Sequence, residues 1–311
     1  RQMCIRDRIN RDKRISFKFN GKKYFGYEGD TIASALMANG THLVGRSFKY
    51  HRPRGFFGAG VDEPYAILQL ERNNERDPNI RATEQEIFEG LEVKSVNCWP
   101  NVNFDIGAIN NFLKMFFPAG FYYKTFMWPP SFWYKIYEPF IRMAAGFGEA
   151  SIKHDKERYE HKYEYCDLLI TGSGPSGLAS AYAAAKNGAR VILAEDKPRF
   201  GGSLLSSDVN IGNQTGVEWT QKIITELKSM SNVIVKNRSQ VFGYYDHNML
   251  VMSERISDHL PKTQKYLPKQ RLWYIRANEV LISSGSIERP LVFGNNDTPG
   301  VMLSSAAKEY M

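Results

Sequence analysis

Three glycines and one acidic residue are the part of this sequence best suited to chemistry. Gly172, Gly174 and Gly177 have the spacing GxGxxG, and Glu195 lies 18 residues after the last of them. Such glycines permit a tight turn, the approach of a pyrophosphate to bare backbone and the close packing of a helix. A carboxylate at this distance can accept hydrogen bonds from ribose hydroxyls. The spacing therefore predicts a dinucleotide site.

The elements that must position these residues are visible around them. Asp167–Thr171 is an apolar run typical of a buried parallel strand, and Arg190–Ala194 has the composition of a second strand. Between them, Pro175–Asn187 is rich in Ala and Leu and predicts a helix, which Gly188 would end. A pyrophosphate would lie at the N-terminus of this helix, where free N–H groups favour an anion. The pattern does not separate NAD from FAD.

Further candidate contacts follow the second strand. The turn formed by Gly202 and Ser203 would bring bare backbone and a hydroxyl near the nucleotide. After an amphipathic helix at Trp219–Met230 and a strand at Val233–Lys236, a strand at Gln240–Tyr244 would cross near the adenine, which the main chain of Val241 could contact. Two later strands, Arg271–Ile275 and Glu279–Ser283, are predicted around a hairpin at Ala277-Asn278, and Gly285 follows them.

The N-terminal part predicts a second, smaller fold. Strands at Ile15–Phe19 and Lys23–Tyr27 flank Asn20-Gly21, a strong hairpin signal, and Asp30 could cap a helix at Thr31–Asn39. A hairpin followed by a helix is typical of the β-grasp fold of ferredoxins. Further strands are predicted at Ala66–Glu71 and Leu91–Val96, with a mostly looped stretch at Arg72–Glu86 between them. The loop Thr41–Gly60 contains no cysteine, so we expect no iron–sulfur cluster here.

The loop GRSFKYHRPRG within this part is strongly basic. Two interpretations remain open, an anion or subunit contact and an ordinary solvated loop, and an isolated run of charges favours the second. His51 is interpreted as a structural hydrogen-bonding residue rather than a catalyst, because the motif supplies no carboxylate or nucleophile to pair with it. The basic residues of the loop are Arg46, Lys49, His51, Arg52 and Arg54.

The segment Phe112–Phe147 is crowded with aromatic residues. Interspersed lysines and prolines leave no uncharged run of about 18 residues, which argues against a membrane span. So large an aromatic patch is expected to be buried on a domain or a partner. The alternative is an aromatic cofactor box. The aromatic residues include Phe116, Phe117, Phe121, Tyr122, Tyr123, Phe126, Trp128, Phe132, Trp133 and Tyr134.

Composition limits the remaining possibilities. The 311 residues carry a net charge of +8, but the basic residues are spread along the chain and no nucleic-acid-binding motif is present. Cys4, Cys98 and Cys166 are too few and too dispersed for a zinc knuckle or a disulfide framework, which favours a reducing cytoplasm. No Ser–His–Asp or Cys–His arrangement suggests hydrolysis.

Residues 1–13 fit no element and are interpreted as a non-native or disordered start. The helix at Ala306–Met311 ends abruptly, so we expect a fragment of a longer protein.

Several longer strings carry a resemblance to a known family. GDTIASALMANG, GRSFKYHRPRG, TGSGPSGLASA, GGSL and SSGSIERPLVFGNNDTPGVM together resemble the alpha subunits of heterotetrameric sarcosine oxidases, from about residue 14 to the end. Related opine and D-amino-acid dehydrogenase subunits share this architecture. One departure is the SSG turn containing Ser284, where related sequences usually carry an ATG-type turn.

The resemblance implies more than the residues alone. It implies NAD in the nucleotide domain, FAD in the beta subunit, FMN at the interface between alpha and beta, and tetrahydrofolate in a missing C-terminal half. It also implies beta, gamma and delta subunits as partners, and oxidative demethylation of sarcosine to glycine with reduction of oxygen to hydrogen peroxide. On this resemblance the NAD site would be lined by Ser176, Glu195, Asp196, Lys197, Ser203 and Val241.

The predicted fold is a cluster-less α+β domain of β-grasp type at residues 14–96, an aromatic-rich connecting segment at 97–163, and an α/β Rossmann-type domain at 164–311, incomplete at its C-terminus. Two functional alternatives to the sarcosine oxidase subunit remain. One is a subunit of an FAD-dependent oxidoreductase or dehydrogenase for another secondary amine or an opine. The other is a non-catalytic docking subunit.

Overall fold

The computed structural model describes residues 9–72, 75–117, 120, 125–261 and 266–311. The chain folds as two compact units. The α/β unit comprises Lys156–Ile287, and the β-grasp unit comprises residues 9–155 together with Glu288–Met311. This division differs from the predicted one in two places. Most of the connecting segment, and the last 24 residues assigned to the nucleotide domain (288–311), lie in the β-grasp unit.

The β-grasp unit is built on a five-stranded sheet. Its order is β2-β1-β7-β5-β6, in which β1 and β7 run parallel and the other neighbours are antiparallel. The predicted hairpin is confirmed, with its turn at Asn20 and Gly21 in the left-handed region. The strands of the whole unit, including β3 and β4 outside this sheet, are β1 (Asn10–Phe19), β2 (Lys22–Glu28), β3 (Gly45–Arg46), β4 (Pro53–Arg54), β5 (Ile67–Arg72), β6 (Glu75–Arg81) and β7 (Glu92–Ser95).

Helix α1 (Ile32–Ala38) packs its buried side chains into the core of this sheet. Its cap differs from the prediction, because the N-cap is Thr31, whose hydroxyl accepts from Ser34 N. The Asp30 carboxylate instead accepts from Tyr27 N and from the Ser34 hydroxyl, at 2.9 and 2.7 Å. Asp30 therefore ties the preceding strand to the first turn of the helix.

The stretch predicted to be mostly loop, Arg72–Glu86, contains strand β6. It pairs antiparallel with β5 and forms one edge of the sheet. Charged residues and Pro78 concealed this strand in the sequence, and such residues are typical of edge strands.

The aromatic-rich segment folds as short helices, which are α2 (Ile109–Phe112), α3 (Glu138–Ala145), 3-10 turns at Ile106–Ala108, Lys114–Phe116 and Pro130–Phe132, and a π-helical turn at Trp133–Tyr137. Many of its large side chains are exposed, including Phe112 at 84%, Trp128 at 82% and Tyr134 at 83%. Phe121, Tyr122 and Tyr123 lie outside the described residues. Among the described residues, no helix has the length and apolar character needed to span a membrane.

The α/β unit is organised around a six-stranded sheet of order β12-β9-β8-β15-β14-β13. The first four strands run parallel, and β14 and β13 continue antiparallel. The strands of the whole unit, including β10 and β11 outside this sheet, are β8 (Tyr159–Thr171), β9 (Val191–Ala194), β10 (Asn210–Ile211), β11 (Gln214–Thr215), β12 (Val233–Lys236), β13 (Ser239–Tyr245), β14 (Met249–Arg255) and β15 (Gln270–Ile282). The helices are α4 (Pro175–Lys186) and α5 (Gly216–Ser229) in this unit, and α6 (Ser304–Tyr310) in the β-grasp unit.

Alternating residues of the parallel strands serve two cores. Ile170 and Leu193 pack with α4 and α5, whereas Leu169 and Ile192 pack with the core that contains Trp273. Because successive strand residues point to opposite faces, these two cores lie on opposite sides of the sheet. The predicted strand–turn–helix–strand elements are present, and a capping box of Thr215 and Glu218 starts α5 three residues before the predicted Trp219.

The hairpin predicted at Ala277-Asn278 is wrong. Residues 270–282 form one continuous strand, β15, which runs parallel to β8 along almost its whole length. The antiparallel partner of β15 is β14, a strand that the sequence analysis did not predict. Asn278 lies within this strand rather than in a turn, and its side-chain amide donates to the Asp167 carboxylate of the neighbouring strand at 3.3 Å.

Candidate functional site

The glycine turn lies between β8 and α4, and two of its glycines are required by close backbone packing. Gly172 has φ +96°, and a Cβ there would approach Ser283 O within a distance that real Cβ atoms do not reach. A Cβ on Gly177 would collide in the same way with Gly172 O. Both observations agree with the roles predicted for the first and third glycines, a tight turn and a close helix.

Gly174 is different, because a Cβ built there would meet no atom within 4 Å. It is the N-cap of α4 and has ordinary extended backbone angles, so no strain within the protein requires a glycine. Ser176 is exposed in the first turn of the same helix. Open space over bare backbone at a helix N-terminus is suited to a pyrophosphate.

Glu195 directly follows β9 and is only 5% exposed. Its Oε2 accepts from Ser173 N at 2.9 Å and from the Ser173 hydroxyl at 2.5 Å, and its Oε1 accepts from Lys197 N at 3.0 Å. Burial raises the pKa of Glu195 to about 7, and the neighbouring Asp196 carboxyl adds to the rise, whereas the bonds from Ser173 and Lys197 oppose it. The carboxylate is therefore already held by the protein at the strand end where ribose hydroxyls were expected.

Ser173 is the residue of this site that the sequence analysis missed. Its side chain is fully buried, and it joins three segments of the site. The hydroxyl contacts Glu195 and accepts from Gly201 N at 3.1 Å, and the Ser173 carbonyl oxygen accepts from the same N–H at 3.1 Å. A hydroxyl residue between the first two glycines, with an acid at the next strand end, was the available signal.

The Gly-Gly-Ser turn meets the glycine turn. A Cβ on Gly202 would lie 2.9 Å from the Gly174 Cα, so the two turns are in contact. Ser203 is exposed beside it. The structure thus brings together seven of the predicted site residues, namely Gly172, Gly174, Ser176, Gly177, Glu195, Gly202 and Ser203.

The remaining predicted residues lie around this centre with less direct contacts. The Asp196 carboxyl raises the pKa of Glu195, and the Lys197 main-chain N–H donates to the Glu195 carboxylate. Strand β13 begins beside Glu195, where Ser239 N donates to Glu195 O at 2.7 Å, but the Val241 side chain packs against the Trp273 core. Gly285 has φ +73° in open space, two residues after Ser283. The contacts predicted for Val241 and Gly285 remain predictions.

The basic loop of the β-grasp unit binds its own chain, an outcome that neither interpretation anticipated. The Arg46 guanidinium donates to Val102 O at 2.7 and 2.9 Å. Arg52 donates to Asp297 at 2.7 and 2.9 Å, and Arg54 contacts the same carboxylate. The lysine and tyrosine between them, Lys49 and Tyr50, both donate to Phe117 O, at 2.6 and 2.7 Å.

His51 has a carboxylate partner, contrary to the reasoning from the motif, and its structural role stays a prediction. Its Nδ1 lies 2.7 Å from Asp105 Oδ2, and its ring packs so closely on Gly107 that no Cβ would fit there. The Asp105 carboxylate also accepts from Trp99 N and Gly107 N. The partner was invisible in the motif because it lies 54 residues away.

The cysteines of the described residues are separate. Cys98 lies in the β-grasp unit and Cys166 in the α/β unit. Burial raises the pKa of the Cys98 thiol to about 11 and that of Cys166 to about 12, so both are protonated at neutral pH. In the part of the chain that the structure describes, no group of three or more His, Cys, Asp or Glu side chains is placed to hold a metal ion.

Comparison with known proteins first shows which protein families and folds the two units resemble. Residues 12–98 match the family of 2Fe-2S iron–sulfur cluster binding domains, and residues 167–250 match the family of FAD-dependent oxidoreductases. In fold, 97% of the chain aligns with 47% of an L-proline dehydrogenase from P. horikoshii, with a TM-score of 0.61 at 19% identity. Residues 12–98 are thus similar to ferredoxin-type domains, and residues 167–250 are similar to part of an FAD-dependent oxidoreductase.

The particular resemblance follows from curated relatives. The alpha chain of the sarcosine oxidase of Rhizobium meliloti is 50% identical over 97% of this chain, and that of a Corynebacterium species is 30% identical over 98%. One component of the opine oxidase of Agrobacterium tumefaciens is 26% identical over 47% of the chain. The predicted resemblance to sarcosine oxidase alpha subunits is confirmed. The chain spans 31% and 27% of the length of the two sarcosine oxidase relatives.

Proposed function

We propose that this chain is a cofactor-binding part of the alpha subunit of a flavin-dependent sarcosine oxidase. The enzyme would carry out oxidative demethylation of sarcosine to glycine, with reduction of oxygen to hydrogen peroxide. The observation that carries the proposal is the glycine turn, in which Gly174, with open space over its backbone, directly follows Ser173, whose N–H and hydroxyl bind the buried Glu195 carboxylate. The 50% identity to a sarcosine oxidase chain supports the choice of reaction.

Within the α/β unit we assign the dinucleotide to NAD. The first turn of α4 and the Gly202–Ser203 turn would hold the pyrophosphate, and Glu195 would accept from a ribose hydroxyl. NAD supplies hydride-transfer chemistry when it is bound. The residues of this chain bind and orient it: the two turns present backbone N–H groups, and Glu195 fixes the ribose.

FAD is the second candidate for the same site, supported by the match of residues 167–250 to FAD-dependent oxidoreductases. The decisive experiment is purification of the chain without partner subunits, followed by an absorption spectrum and identification of any released nucleotide. NAD without a flavin band supports the first assignment, and a stoichiometric flavin band supports the second. Recovery of neither cofactor, together with no binding of added NAD or FAD, would favour a docking subunit.

The remaining cofactors and partners are proposed from the relatives. FMN would lie at an interface with the beta subunit, FAD would lie in the beta subunit, and tetrahydrofolate would bind a C-terminal half of the alpha subunit. The enzyme would assemble with gamma and delta subunits and work in the cytoplasm on a small amine. Co-expression with the neighbouring genes, followed by flavin analysis of the purified complex and assay with sarcosine, tests this assembly.

We propose further that the β-grasp unit holds no iron–sulfur cluster, although residues 12–98 match a cluster-binding family. Such a cluster requires four cysteine thiolates in the plant-type arrangement. Cys98 is the single cysteine of the matched range in the sequence, so the donor set does not fit the group. Stoichiometric iron and acid-labile sulfide in the purified protein would contradict this proposal.

A further inference from the structure

The carboxylate of Glu195 has a limited number of positions at which it can accept hydrogen bonds. Each oxygen offers two lone pairs. On Oε2 both are occupied, by the N–H and the hydroxyl of Ser173, whereas Oε1 accepts from Lys197 N and retains capacity for a second donor. A ribose hydroxyl that binds Glu195 would therefore be received on Oε1.

A proton on Glu195 would compete for the same atom. Because Ser173 donates twice to Oε2, protonation of Glu195 is directed to Oε1. A neutral carboxyl group is also a weaker acceptor than a carboxylate. The proton and the ribose hydroxyl would therefore compete for Oε1, because Ser173 occupies Oε2.

We propose that Ser173 is the positioning residue of the dinucleotide site, and that its buried hydroxyl holds Glu195 for the ribose and sets the pH at which dinucleotide affinity is lost. The inference rests on the proposed function, because it requires that Glu195 bind a ribose. Ser173 acts through Glu195 and does not itself need to touch the ligand. It is well placed for this role, because its hydroxyl also accepts a hydrogen bond from Gly201 N at 3.1 Å.

The charged groups around Glu195 do not remove its titration. Lys236, whose carbonyl oxygen accepts from Glu195 N, directs its ammonium group to Glu254 at 2.9 Å. The Arg255 guanidinium donates to the main-chain oxygen of Asp196 at 3.2 Å. The remaining neighbours are the Asp196 carboxyl, which raises the pKa of Glu195, and Lys197 and Arg238, whose main chains are joined by a hydrogen bond at 3.1 Å.

The sign of the pH dependence follows from these contacts. Burial and Asp196 raise the pKa of Glu195 to about 7 from its usual 4.5, so the folded protein favours the protonated form. The protonated Glu195 therefore contributes to the folding stability of the free protein. This contribution is fully present below about pH 4.5 and is lost as the pH rises through about 7. Dinucleotide binding has the opposite trend, because it requires the carboxylate. The Kd is expected to rise about tenfold for each pH unit below the midpoint.

The first experiment needs no ligand. The carboxyl 13C resonance of Glu195, identified by its absence in Glu195→Gln, is followed by NMR between pH 5 and 9. In Ser173→Ala the loss of the hydroxyl should move the titration midpoint upward by about one pH unit. Ser257→Ala is the matched control, since Ser257 is a buried serine of the same unit whose hydroxyl donates to Pro268 O. Its midpoint should equal that of the wild type.

The second experiment measures NAD binding by calorimetry over the same pH range, with FAD as the alternative probe. Ser173→Ala should bind about three- to tenfold more weakly than the wild type at pH 7 and nearly as tightly at pH 9. Glu195→Gln should bind weakly at every pH. A merely structural role of Ser173 would weaken binding equally at all pH values, so recovery at high pH separates the two roles.

The outcomes are distinguishable. An unchanged 13C midpoint in Ser173→Ala, or a Kd profile with an unchanged midpoint, overturns the inference. A shifted 13C midpoint, with no binding of NAD or FAD by the wild type at any pH, contradicts the proposed function and the pH-dependent binding, and leaves only the hold of Ser173 on Glu195. A shifted midpoint in both measurements supports the inference.

Discussion

The glycine turn of the α/β unit and the basic loop of the β-grasp unit are both conspicuous runs of sequence, yet they find their partners differently. Most contacts of the glycine turn fall within about one strand–helix–strand unit, from Gly172 to Gly202, whereas Ser283, a distant neighbour, packs against Gly172. The basic loop reaches Asp105, Phe117 and Asp297, and its ion pair from Arg52 spans 245 residues.

This difference shows which motifs can be interpreted from the sequence alone. The purpose of a local motif can be predicted from spacing, because its partners are fixed by the element that contains it. A basic run with distant partners has the same composition as a solvated loop or an anion site. Two of the strings that carry the family resemblance, GRSFKYHRPRG and the string ending in NNDTPGVM, are partners of each other through Arg52, Arg54 and Asp297.

The largest expected effect tests the local side of this comparison. In Gly177→Ala the new Cβ would collide with Gly172 O, a backbone atom that cannot move without opening the turn. We expect the free energy of unfolding of the α/β unit to fall by about 3 kcal/mol or more. Chemical denaturation of the wild type and the variant measures it.

The matched variant is Gly174→Val, three residues earlier. Its side chain enters open space, so the cost in unfolding free energy should be only about 1 kcal/mol, from the poorer N-cap. Dinucleotide binding should be lost, because the side chain occupies the pyrophosphate position. If Gly174→Val binds NAD or FAD with normal affinity, the turn is not the phosphate site.

The second prediction concerns Glu195. Glu195→Ala should weaken dinucleotide binding by about 1.5–3 kcal/mol, the range for a hydrogen bond to a charged group. Calorimetry at pH 8, where the carboxylate is mostly ionised, is the appropriate measurement. Glu218→Ala is a suitable control, since Glu218 belongs to the same unit and caps α5 on an exposed surface. Equal dissociation constants for the wild type and Glu195→Ala would show that the ribose lies elsewhere.

How much of this site was accessible from sequence depended on where the partners lie. The turn, the helix and the second strand were predicted to within one residue, because periodicity and glycine spacing are local signals, whereas the first strand begins at Tyr159, eight residues before the predicted Asp167. Ser173 was overlooked because serine is common in such turns, and only burial shows that its hydroxyl serves Glu195. The long strand β15 was divided at Ala277-Asn278 because pairing with β8 overrides the turn tendency of asparagine.

The third prediction tests the distant side of the comparison. Hydrogen bonds from Arg52 and Arg54 lower the pKa of Asp297, although partial burial opposes them. Asp297→Ala leaves both guanidinium groups without this carboxylate, and should lower the unfolding free energy of the β-grasp unit by about 1–2 kcal/mol, a figure reduced for solvent exposure. Because the folded pKa is depressed, this contribution is present above about pH 4 and is lost as the pH falls below it.

Glu138→Ala is the control for this prediction, because it breaks the exposed pair of Glu138 with Arg142 in the same unit. Such a helix pair contributes about 0.3–0.5 kcal/mol. The two variants, compared by denaturation at pH 7 and in a series of decreasing pH, should differ clearly at neutral pH and converge as the pH falls through the lowered pKa of Asp297. Equal stabilities at pH 7 would mean that the basic loop behaves as the solvated loop its composition suggested.

The smallest expected effect on the folded chain comes from the aromatic segment. Trp128 is 82% exposed, and Trp133 is exposed at 36%. Replacement of an exposed side chain removes little packing, so Trp128→Ala should change the unfolding free energy by less than about 0.5 kcal/mol.

Large rings dominate the contact energy of interfaces, however, and exposed apolar surface of this extent is typical of a binding surface. The double variant of Trp128 and Trp133 should therefore retain NAD affinity while recovery of the multi-chain complex after co-expression falls. Lys153→Ala, a surface change in the same unit, should leave recovery unaltered. Normal assembly combined with loss of NAD binding would favour the aromatic cofactor box, and would mean that this segment, like the basic loop, has a use that its local sequence does not show.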